Sequence, residues 1–441
     1  MNLPMVAVIG RPNVGKSTFF NALVGKGISI VDNQPGVTRD RIIENAEWSG
    51  HAFQIVDTGG IDFDDKNMFN MHIREQVDIA IDLADVIIFL VDGREGVHPD
   101  DIQISTLLRR TKKPIVLAVN KIDNREQSGS MYDFYRLKVG DPHAISCVHK
   151  MGIGDLLDSV IEKFEKVVAP EDVDMPPKIA IIGKPNAGKS SIINKLLGEK
   201  RVMVSDVAGT TRDTIDSELS YHGKKYILTD TAGIRRKRSV EIDSIEHYSV
   251  MRALATIRRS DVIVLVVDAT EGLTEQDVRL IGYAHEEGKP SVVCINKWDL
   301  VEKNTHTMVA FEKKIKMDLA YMSYFKSIYI SALTGQRMGE IMNAVDFVIE
   351  RTNTRITTGT LNDLISGFVA TTPPAFASGR RPKFLYSTQA GVAPPTFILF
   401  VNDKSYVQSS YLRYLENSLR KSIDLTGTPV RFILRSRNEK K

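Results

Sequence analysis

A glycine-rich segment that occurs twice is the feature that most constrains the fold of this 441-residue chain. Residues 10–18 read GRPNVGKST, residues 183–191 read GKPNAGKSS, and each segment follows a short apolar run. The pattern G-x-x-x-x-G-K-[ST] between a strand and a helix is typical of a loop that wraps around phosphates. Its glycines allow close approach of the backbone, and the helix N-terminus adds positive field. The sequence therefore predicts two phosphate-binding sites.

Four further motifs recur in the same order after each loop. They are PGVTRD and AGTTRD (35–40, 208–213), DTGG and DTAG (57–60, 230–233), NKID and NKWD (120–123, 296–299), and AISC and YISA (144–147, 329–332). The loop lysine precedes the motif threonine by 22 residues in both halves, 16 to 38 and 189 to 211. Two complete copies of one domain account for this repetition.

Each copy alternates short apolar, β-branched runs, such as VIIFLVD (86–92) and VIVLVVD (262–268), with stretches of helical length. This alternation predicts an α/β fold, with a mainly parallel sheet and helices on both faces. The motifs follow the runs, at the carboxyl edge where open α/β sheets bind ligands. The predicted organisation is a first copy, an acidic proline-rich linker, a second copy and a C-terminal domain, at 1–166, 167–177, 178–351 and 352–441.

The composition, with 42% hydrophobic and 26% charged residues, is that of an ordinary globular protein. No basic N-terminal region leads into an apolar run, and the apolar runs are far shorter than the roughly 18 residues of a membrane span. Cys147 and Cys294 have neither zinc-site nor disulfide spacing. We therefore expect a cytoplasmic monomer with two buried, reduced thiols and no membrane partner.

The loops and the DxxG motifs predict how the phosphates and Mg²⁺ are held. Lys16 and Lys189 are expected to reach the β- and γ-phosphates. The amides of Gly60 and Gly233 can bond the γ-phosphate, so these segments can sense its presence. The predicted Mg²⁺ ligands are Ser17, Thr38 and Asp57 in the first copy, and Ser190, Thr211 and Asp230 in the second.

The NKID and NKWD motifs predict which base is bound. Asp123 and Asp299 can each accept two hydrogen bonds from guanine N1–H and the 2-amino group, a pair that adenine lacks. Asn120 and Asn296 can donate to the base and brace the loop. An ordinary strand-end turn is the alternative, but the preceding motifs favour GTP and GDP as ligands.

The predicted nucleotide-binding residues follow the motifs. In the first copy they are Gly10, Arg11, Pro12, Asn13, Val14, Gly15, Lys16, Ser17, Asp57, Thr58, Gly59, Gly60, Ile61, Asn120, Lys121, Ile122, Asp123 and Ser146. In the second they are Gly183, Lys184, Pro185, Asn186, Ala187, Gly188, Lys189, Ser190, Asp230, Thr231, Ala232, Gly233, Ile234, Asn296, Lys297, Trp298, Asp299, Ser331 and Ala332. No general base is predicted in either set.

The motif series resembles that of the TRAFAC-class GTPases. Two such domains followed by a short basic domain resemble the double-GTPase family called Der, or EngA. The resemblance covers nearly the whole chain, including GRRPKFLYSTQAGVAPPTFILFVND (379–403). It implies a bacterial GTPase that hydrolyses GTP to GDP and phosphate and acts in assembly of the large (50S) ribosomal subunit, with that subunit and its rRNA as partners. It also implies a KH-like fold for the C-terminal domain.

Both copies lack the glutamine that, in other GTPases, follows the DxxG motif and orients the attacking water. Ile61 and Ile234 follow the DxxG glycines, and neither can hydrogen-bond a water. In GTPases that this chain resembles, the P-loop asparagine helps to hold a monovalent cation. Asn13 and Asn186 are therefore predicted to bind K⁺ and support K⁺-activated hydrolysis. The alternative is that each asparagine only stabilises a turn.

The C-terminal domain is basic, with 13 Lys+Arg against 5 Asp+Glu, whereas the rest of the chain has 45 against 50. Its pattern predicts a small α+β domain, with helices at 358–368 and 409–422 and strands at 383–389, 396–401 and 430–435. No GXXG loop of an RNA-binding KH domain stands at a comparable place, because the nearest candidate, GRRP (379–382), ends in proline.

Two hypotheses for this domain remain open. Arg380, Arg381, Lys383 and the tail 430–441 can contact ribosomal RNA phosphates, or the domain docks between the GTPase domains and reports their state. A second basic run, RRKR (235–238), replaces the acidic DFDD (62–65) of the first copy. The contrast suggests that the second copy gates partner binding. A GTPase coupled to tRNA modification and a nucleotide-stabilised RNA-binding scaffold are the alternative functions.

Overall fold

A computed structural model describes residues 3–24, 43–57, 77–78, 80–123, 125–164, 175–198, 216–229, 246–302, 304, 306–322, 324–376 and 380–436. The chain divides into two compact units. One comprises Met1–Asp174 with Ser244–Ala255, and the other Met175–Asp243 with Thr256–Lys441. The predicted linker lies mostly outside the described residues, so its bounds remain a prediction.

The first copy forms a six-stranded sheet with the order β2-β3-β1-β4-β5-β6, in which only the β2–β3 pair is antiparallel. Its strands are β1 (Met5–Ile9), β2 (Ile43–Trp48), β3 (His51–Asp57), β4 (Val86–Asp92), β5 (Ile115–Asn120) and β6 (Pro142–Ala144). The helices are α1 (Lys16–Val24), α2 (Pro99–Leu108) and α3 (Ile153–Phe164), with a 3₁₀ segment at Arg125–Leu137. This architecture confirms the predicted α/β fold.

Both faces of this sheet are covered, which explains why its central strands read as continuous apolar runs. All residues of β1 and β4 are buried. Val6 and Val8 contribute to a hydrophobic cluster on one face, while Ala7 and Ile9 contribute to a second cluster on the other. The sheet is thus a rigid layer between two cores, and the loops at its carboxyl edge start from fixed positions.

The second copy repeats this sheet in the corresponding order, β8-β9-β7-β10-β11-β12. Its strands are β7 (Lys178–Ile182), β8 (Ser217–Tyr221), β9 (Lys224–Thr229), β10 (Val262–Asp268), β11 (Ser291–Asn296) and β12 (Lys326–Tyr329). The helices within its sequence range are α4 (Lys189–Gly198), α5 (Glu246–Arg259), α6 (Glu275–Glu286), α7 (Thr307–Asp318) and α8 (Gly339–Thr352), with 3₁₀ turns at Trp298–Leu300 and Ala320–Met322. Residues 246–255 of α5 are grouped with the first compact unit. The internal repeat read from the motifs is therefore a repeat of topology.

The C-terminal domain is a three-stranded sheet packed against two helices, as predicted. The elements are α9 (Thr358–Thr371), β13 (Phe384–Gly391), β14 (Thr396–Val401), a 3₁₀ turn (Lys404–Tyr406), α10 (Ser409–Ser422) and β15 (Arg431–Ser436). The β13–β14 pair is antiparallel and the β14–β15 pair parallel. Leu361 of α9, Leu415 of α10 and Phe397 of β14 are fully buried in one cluster. Each predicted element exists, with bounds shifted by three residues or fewer.

The C-terminal domain is hydrogen-bonded to the second copy where β11 begins. The Gly427 carbonyl accepts from the Ser291 amide at 2.7 Å, and the Gly427 amide donates to the Tyr324 carbonyl at 2.7 Å. The Arg420 guanidinium lies 4.0 Å from the centre of the Tyr324 ring. This contact is at the opposite end of β11 from the NKWD motif, so the domain and the predicted base-binding loop lie at opposite edges of the sheet. Among the described residues, no helix is long and apolar enough to cross a membrane.

Candidate functional site

Each glycine-rich loop begins at the carboxyl end of the first strand of its copy and enters a helix at its lysine. Gly15 and Gly188 have φ of +98° and +100°, values that L side chains rarely adopt. A Cβ added to Gly15 would meet the Asn120 amide nitrogen at 2.5 Å, and one added to Gly188 would meet that of Asn296 at 2.1 Å. The second loop glycine is thus required by backbone conformation and by the close approach of the NKxD asparagine.

That asparagine ties three predicted motifs together. In the first copy, Asn120 Nδ2 donates to the Val14 carbonyl at 2.8 Å, and Asn120 Oδ1 accepts from the Cys147 amide at 3.0 Å. The second copy has the same bonds for Asn296, Ala187 and Ala332, at 2.8 and 2.9 Å. These hydrogen bonds connect the asparagines to the phosphate loop, whereas their expected donation to the base remains a prediction. The amides of Cys147 and Ala332, which follow the predicted site residues Ser146 and Ser331, are thus already used within the protein.

The NKxD lysines reach back to the strand that precedes their own. Lys121 Nζ lies 2.5 Å from Asp92 Oδ2 and 2.9 Å from the Asn13 carbonyl. Burial alone would raise the pKa of Asp92, but the hydrogen bond from Lys121 holds it below its usual value. Lys297 Nζ pairs likewise with Asp268 Oδ2 at 2.6 Å. These pairs clamp the lysine stems at the carboxyl edge of the sheet, where the base is predicted to lie.

The P-loop lysines lie over their own loops. Lys16 Nζ donates to the Gly10 carbonyl at 2.8 Å and to the Arg11 carbonyl at 2.9 Å. Lys189 Nζ donates to the Gly183 carbonyl at 2.7 Å and also to that of Lys184. The ammonium group is thus positioned in the concavity of the loop, where an anionic phosphate would find both the cation and the backbone N–H groups.

The two predicted base-reading aspartates have different surroundings. Asp123 Oδ1 accepts from the Ser146 hydroxyl at 2.8 Å, and Asp123 Oδ2 pairs with the Arg94 guanidinium. These two hydrogen bonds lower the pKa of Asp123. In the second copy, Asp299 Oδ1 is buried and has no hydrogen-bond partner within the described residues. A buried acceptor without a donor is costly, and a guanine base would supply donors.

Comparison with known proteins accounts for both copies and for the C-terminal domain. Residues 5–121 and 178–297 match a family described as 50S ribosome-binding GTPase. Residues 355–435 match a family described as the KH-domain-like C-terminal part of EngA bacterial GTPase enzymes. A GTPase Der of Alkaliphilus oremlandii is 51% identical over 441 residues, 99% of each chain. The chain belongs to the Der family of GTPases.

Other relatives agree with this assignment. A GTPase Der of Desulfitobacterium hafniense is 50% identical over 443 residues and 100% of each chain. Among solved structures, Aquifex aeolicus Era covers 64% of this chain at 21% identity with a TM-score of 0.30, which adds nothing to the fold assignment. Membership in the Der family confirms that the chain is a GTPase that binds guanine nucleotides and hydrolyses GTP to GDP and phosphate.

The P-loop asparagines have φ of 65° at Asn13 and 64° at Asn186. Asparagine tolerates this left-handed conformation better than most residues, so the structure is consistent with a role in the turn. Both side chains are exposed, and neither amide group makes a hydrogen bond to another residue in the described ranges. The amide oxygens are therefore accessible, and K⁺ binding remains a prediction.

In both copies of this chain, acidic side chains also contact the residue that follows the first glycine of the P-loop. The sequence analysis did not predict these contacts. Arg11 pairs with Glu95, and its Nε lies 3.6 Å from Asp101 Oδ1. In the second copy, Lys184 pairs with Glu271, and the backbone amide of Lys184 donates to Asp277 Oδ1 at 3.1 Å. Asp101 and Asp277 are fully buried and cap their helices. The repeat itself held the signal, because DGREGVHPDD (92–101) and DATEGLTEQD (268–277) share the pattern D-x-x-E-G-x-x-x-x-D.

Several predicted site residues lie outside the described residues. These are Thr38, Thr58, Gly59, Gly60, Ile61, Thr211, Asp230, Thr231, Ala232, Gly233 and Ile234, together with the contrasting runs 62–65 and 235–238. Asp57 is described only as the last residue of β3. Of the predicted Mg²⁺ ligands, the structure therefore places the side chains of Ser17 and Ser190, both exposed in the first turn of the helix after the loop.

Proposed function

We propose that this Der-family GTPase is a GTP-dependent switch in the assembly of the large (50S) ribosomal subunit. The observation that carries the proposal is the pair of equivalent P-loop sites, in a family whose GTPase domain is described as 50S ribosome-binding. The C-terminal domain, with 13 Lys+Arg against 5 Asp+Glu, is suited to a polyanionic partner. Two nucleotide states at each site could then set the affinity for a ribosomal surface.

Within each site, the proposed division of roles follows the geometry. Lys16 and Lys189 hold the phosphates, and Asp123 and Asp299 bind the guanine edge. Asp299 Oδ1, which is buried and has no hydrogen-bond partner among the described residues, supports this role, because a guanine N–H would satisfy it. The asparagine bridges keep base loop and phosphate loop at a fixed separation, so that one rigid ligand engages both.

The donor set of each site fits Mg²⁺. Ser17 and Ser190 offer exposed hydroxyl oxygens beside the phosphate lysines. Asp57, Asp230, Thr38 and Thr211, which the motifs predict as further ligands, would complete a set of hard oxygen donors. Mg²⁺ would neutralise charge on the β- and γ-phosphates. We expect Ser17→Ala and Ser190→Ala each to lower GTP hydrolysis at their own site, whereas Thr18→Ala, beside the first, should have little effect.

The accessible amide oxygens of Asn13 and Asn186 fit K⁺, whose charge would lie against the phosphates where an arginine finger acts in other GTPases. GTP hydrolysis should therefore be faster in K⁺ than in Na⁺ at equal ionic strength. Asn13→Ala with Asn186→Ala should remove the difference, and an equal rate in both salts for the unmodified chain would contradict K⁺ activation.

Both hypotheses for the C-terminal domain retain support. The domain contacts the second copy through Gly427 and Arg420, as a reporter of GTPase state would. Arg380, Arg381 and Lys383 are exposed, as phosphate contacts require. Charge reversal at Arg380 and Arg381 separates the two, because only an RNA-contacting role predicts loss of ribosome binding with GTP hydrolysis unchanged.

The deciding experiment is sedimentation of the full chain with separated ribosomal subunits, in potassium buffer, with GDP or a non-hydrolysable GTP analogue. Co-migration with the large subunit only in the analogue supports the switch. Lys16→Ala and Lys189→Ala serve as controls that should lose the nucleotide dependence. Binding indifferent to nucleotide favours a scaffold, and absence of binding to either subunit contradicts the proposal. Charge reversal at 235–238 tests whether the second copy gates this binding.

A further inference from the structure

Arg94 forms an ion pair with Asp123, the carboxylate that is proposed to bind guanine in the first copy. Its guanidinium pairs with Asp123 Oδ2, while the Ser146 hydroxyl donates to Asp123 Oδ1 at 2.8 Å. The Arg94 side chain is 61% exposed and that of Asp123 only 21% exposed. The arginine therefore reaches from solvent onto the group that a base would need, and both carboxylate oxygens already accept hydrogen bonds.

The second copy lacks this arginine. Arg94 stands two residues after Asp92, and the residue two after the equivalent Asp268 is Thr270. Thr270 donates to Asp268 Oδ1 from its amide at 2.9 Å and from its hydroxyl at 2.7 Å, so it is turned to its own strand end. Asp299 Oδ1 has no hydrogen-bond partner in the part of the chain that the structure describes.

We propose that Arg94 competes with the guanine base for Asp123 and thereby tunes the nucleotide affinity of the first site. The inference rests on the proposed role of Asp123 in binding guanine. Both competitors present two parallel N–H donors, the guanidinium fork on one side and guanine N1–H with the 2-amino group on the other. A base that enters must first separate the ion pair, whereas in the second copy it meets the Asp299 oxygen, for which the described ranges supply no donor.

The expected size of the effect follows from the exposure of the pair. Ion pairs with a largely exposed partner change an equilibrium by about two- to fivefold. Arg94 should therefore weaken guanine nucleotide binding at the first site by about that factor. Because salt screens such pairs, the penalty should shrink as ionic strength rises.

The test measures the first site alone in the full chain. Asp299→Asn removes the acceptor pair for guanine in the second copy, so that GDP carrying a fluorescent N-methylanthraniloyl group on its ribose reports on the first site. In this background, Arg94→Thr should tighten GDP binding by about two- to fivefold at low salt, and by less at high salt. Arg94→Lys, which keeps the charge but loses the fork, should fall between the two. Arg109→Thr makes the same charge change on an exposed arginine of this domain and should leave the affinity unchanged.

The reciprocal variant uses the second copy. With Asp123→Asn silencing the first site, Thr270→Arg should weaken GDP binding at the second site. Unchanged or weaker binding by Arg94→Thr at the first site would overturn the competition, because an arginine that contacts the nucleotide would produce the weaker result. Thermal unfolding of each variant shows whether its fold is retained.

One further variant separates this inference from the assignment on which it rests. Adding Asp123→Asn to Asp299→Asn should abolish GDP binding and permit binding of xanthosine diphosphate, whose 2-carbonyl pairs with an amide donor. If GDP binding persists undiminished, the base-reading role of Asp123 is wrong. If GDP binding is lost but Arg94→Thr has no effect, only the competition is wrong.

Discussion

The two GTPase copies share a scaffold and differ in the polar partners of its loops. The sheet order, the conformation of the second loop glycine (Gly15 and Gly188) and the asparagine bridges are the same in both. The Asp123 carboxylate, however, has two partners, while Asp299 has a buried oxygen with none in the described ranges. The two copies thus preserve the elements that position the ligand, whereas single side chains at the rim differ, and we propose that these set how readily each site accepts nucleotide.

The copies differ again at the opposite edge of the sheet. In the second copy, His285 near the end of α6 is mostly buried, and its Nδ1 lies 2.6 Å from the Tyr324 hydroxyl. The aligned residue after α2 in the first copy is Arg109, which is exposed. The second copy carries the C-terminal domain at this edge, through backbone hydrogen bonds between Gly427 and both Ser291 and Tyr324.

The largest expected effect tests what the copies share. Asn120→Ala and Asn296→Ala each leave a buried loop carbonyl and a buried amide without their partners. At about 1–3 kcal/mol for each unsatisfied group, each variant should lose about 2–6 kcal/mol of unfolding free energy in its own copy. Nucleotide binding at that site should be lost, as measured by titration in chains whose other site is silenced.

The matched controls for this prediction are Asn120→Asp and Asn296→Asp. Each keeps the oxygen that accepts from the backbone amide but sets a buried carboxylate oxygen against the loop carbonyl, so each should lose at least as much stability as the alanine variant. A large loss of unfolding free energy in one copy with almost none in the other would contradict the prediction. It would show that the two copies depend on the asparagine bridge to different extents despite their shared geometry.

The second prediction concerns the edge at which the copies differ. Gly427 has φ of +78°, and a Cβ there would meet Val348 Cγ1 at 2.3 Å. Gly427→Ala should therefore cost about 1–3 kcal/mol through backbone strain and displace the C-terminal domain from the second copy. Differential scanning calorimetry with limited proteolysis would detect the loosened domain. Gly391→Ala, in open space within the same domain, should behave as the unmodified chain.

The sequence predicted the repeated topology because its signals are local. Apolar runs such as VIVLVVD (262–268) indicate a strand that is buried on both faces. The loop glycines indicate a backbone with positive φ, which glycine adopts most readily. It did not predict the Arg94–Asp123 pair, because the two residues are 29 positions apart and no motif links them. The support of the P-loop by Asp101 was also missed, although the same acidic pattern recurs in both copies. Contacts between side chains that are distant in sequence cannot be predicted from the order of residues unless the same spacing recurs in an internal repeat.

The third prediction uses pH to isolate the second copy. Burial, with Arg420 and Arg431 nearby, lowers the pKa of His285 from 6.5 to about 4. The folded chain therefore keeps this imidazole neutral, while the unfolded chain takes up a proton once the pH falls below 6.5. Stability should fall between pH 6.5 and 4, and the histidine should contribute about 1.4 kcal/mol of that loss at pH 5.5.

The measurement compares unfolding free energies at pH 5.5 and 7.5 for the unmodified chain and for His285→Gln. The variant lacks the titrating group, so its own loss over this range should be smaller by about 1.4 kcal/mol. Equal losses in the two proteins would mean that the imidazole is not held neutral at this edge. Arg109→Gln in the first copy should leave the pH dependence unchanged, since arginine does not titrate in this range.

The smallest effect is expected at Cys147, where the two copies differ in side chain but share the same backbone hydrogen bond. Cys147 stands where the second copy has Ala332, and only its backbone amide is used, donating to Asn120 at 3.0 Å. Burial raises the pKa of the Cys147 thiol to about 12, so the side chain is a neutral apolar group and neither a ligand nor a nucleophile. Cys147→Ala keeps the amide and should change GDP affinity at the first site by less than about twofold, within about 0.4 kcal/mol. Titration in the Asp299→Asn background measures this, and a change beyond about fivefold would mean that packing of the thiol, rather than the amide alone, positions the base loop of the first copy.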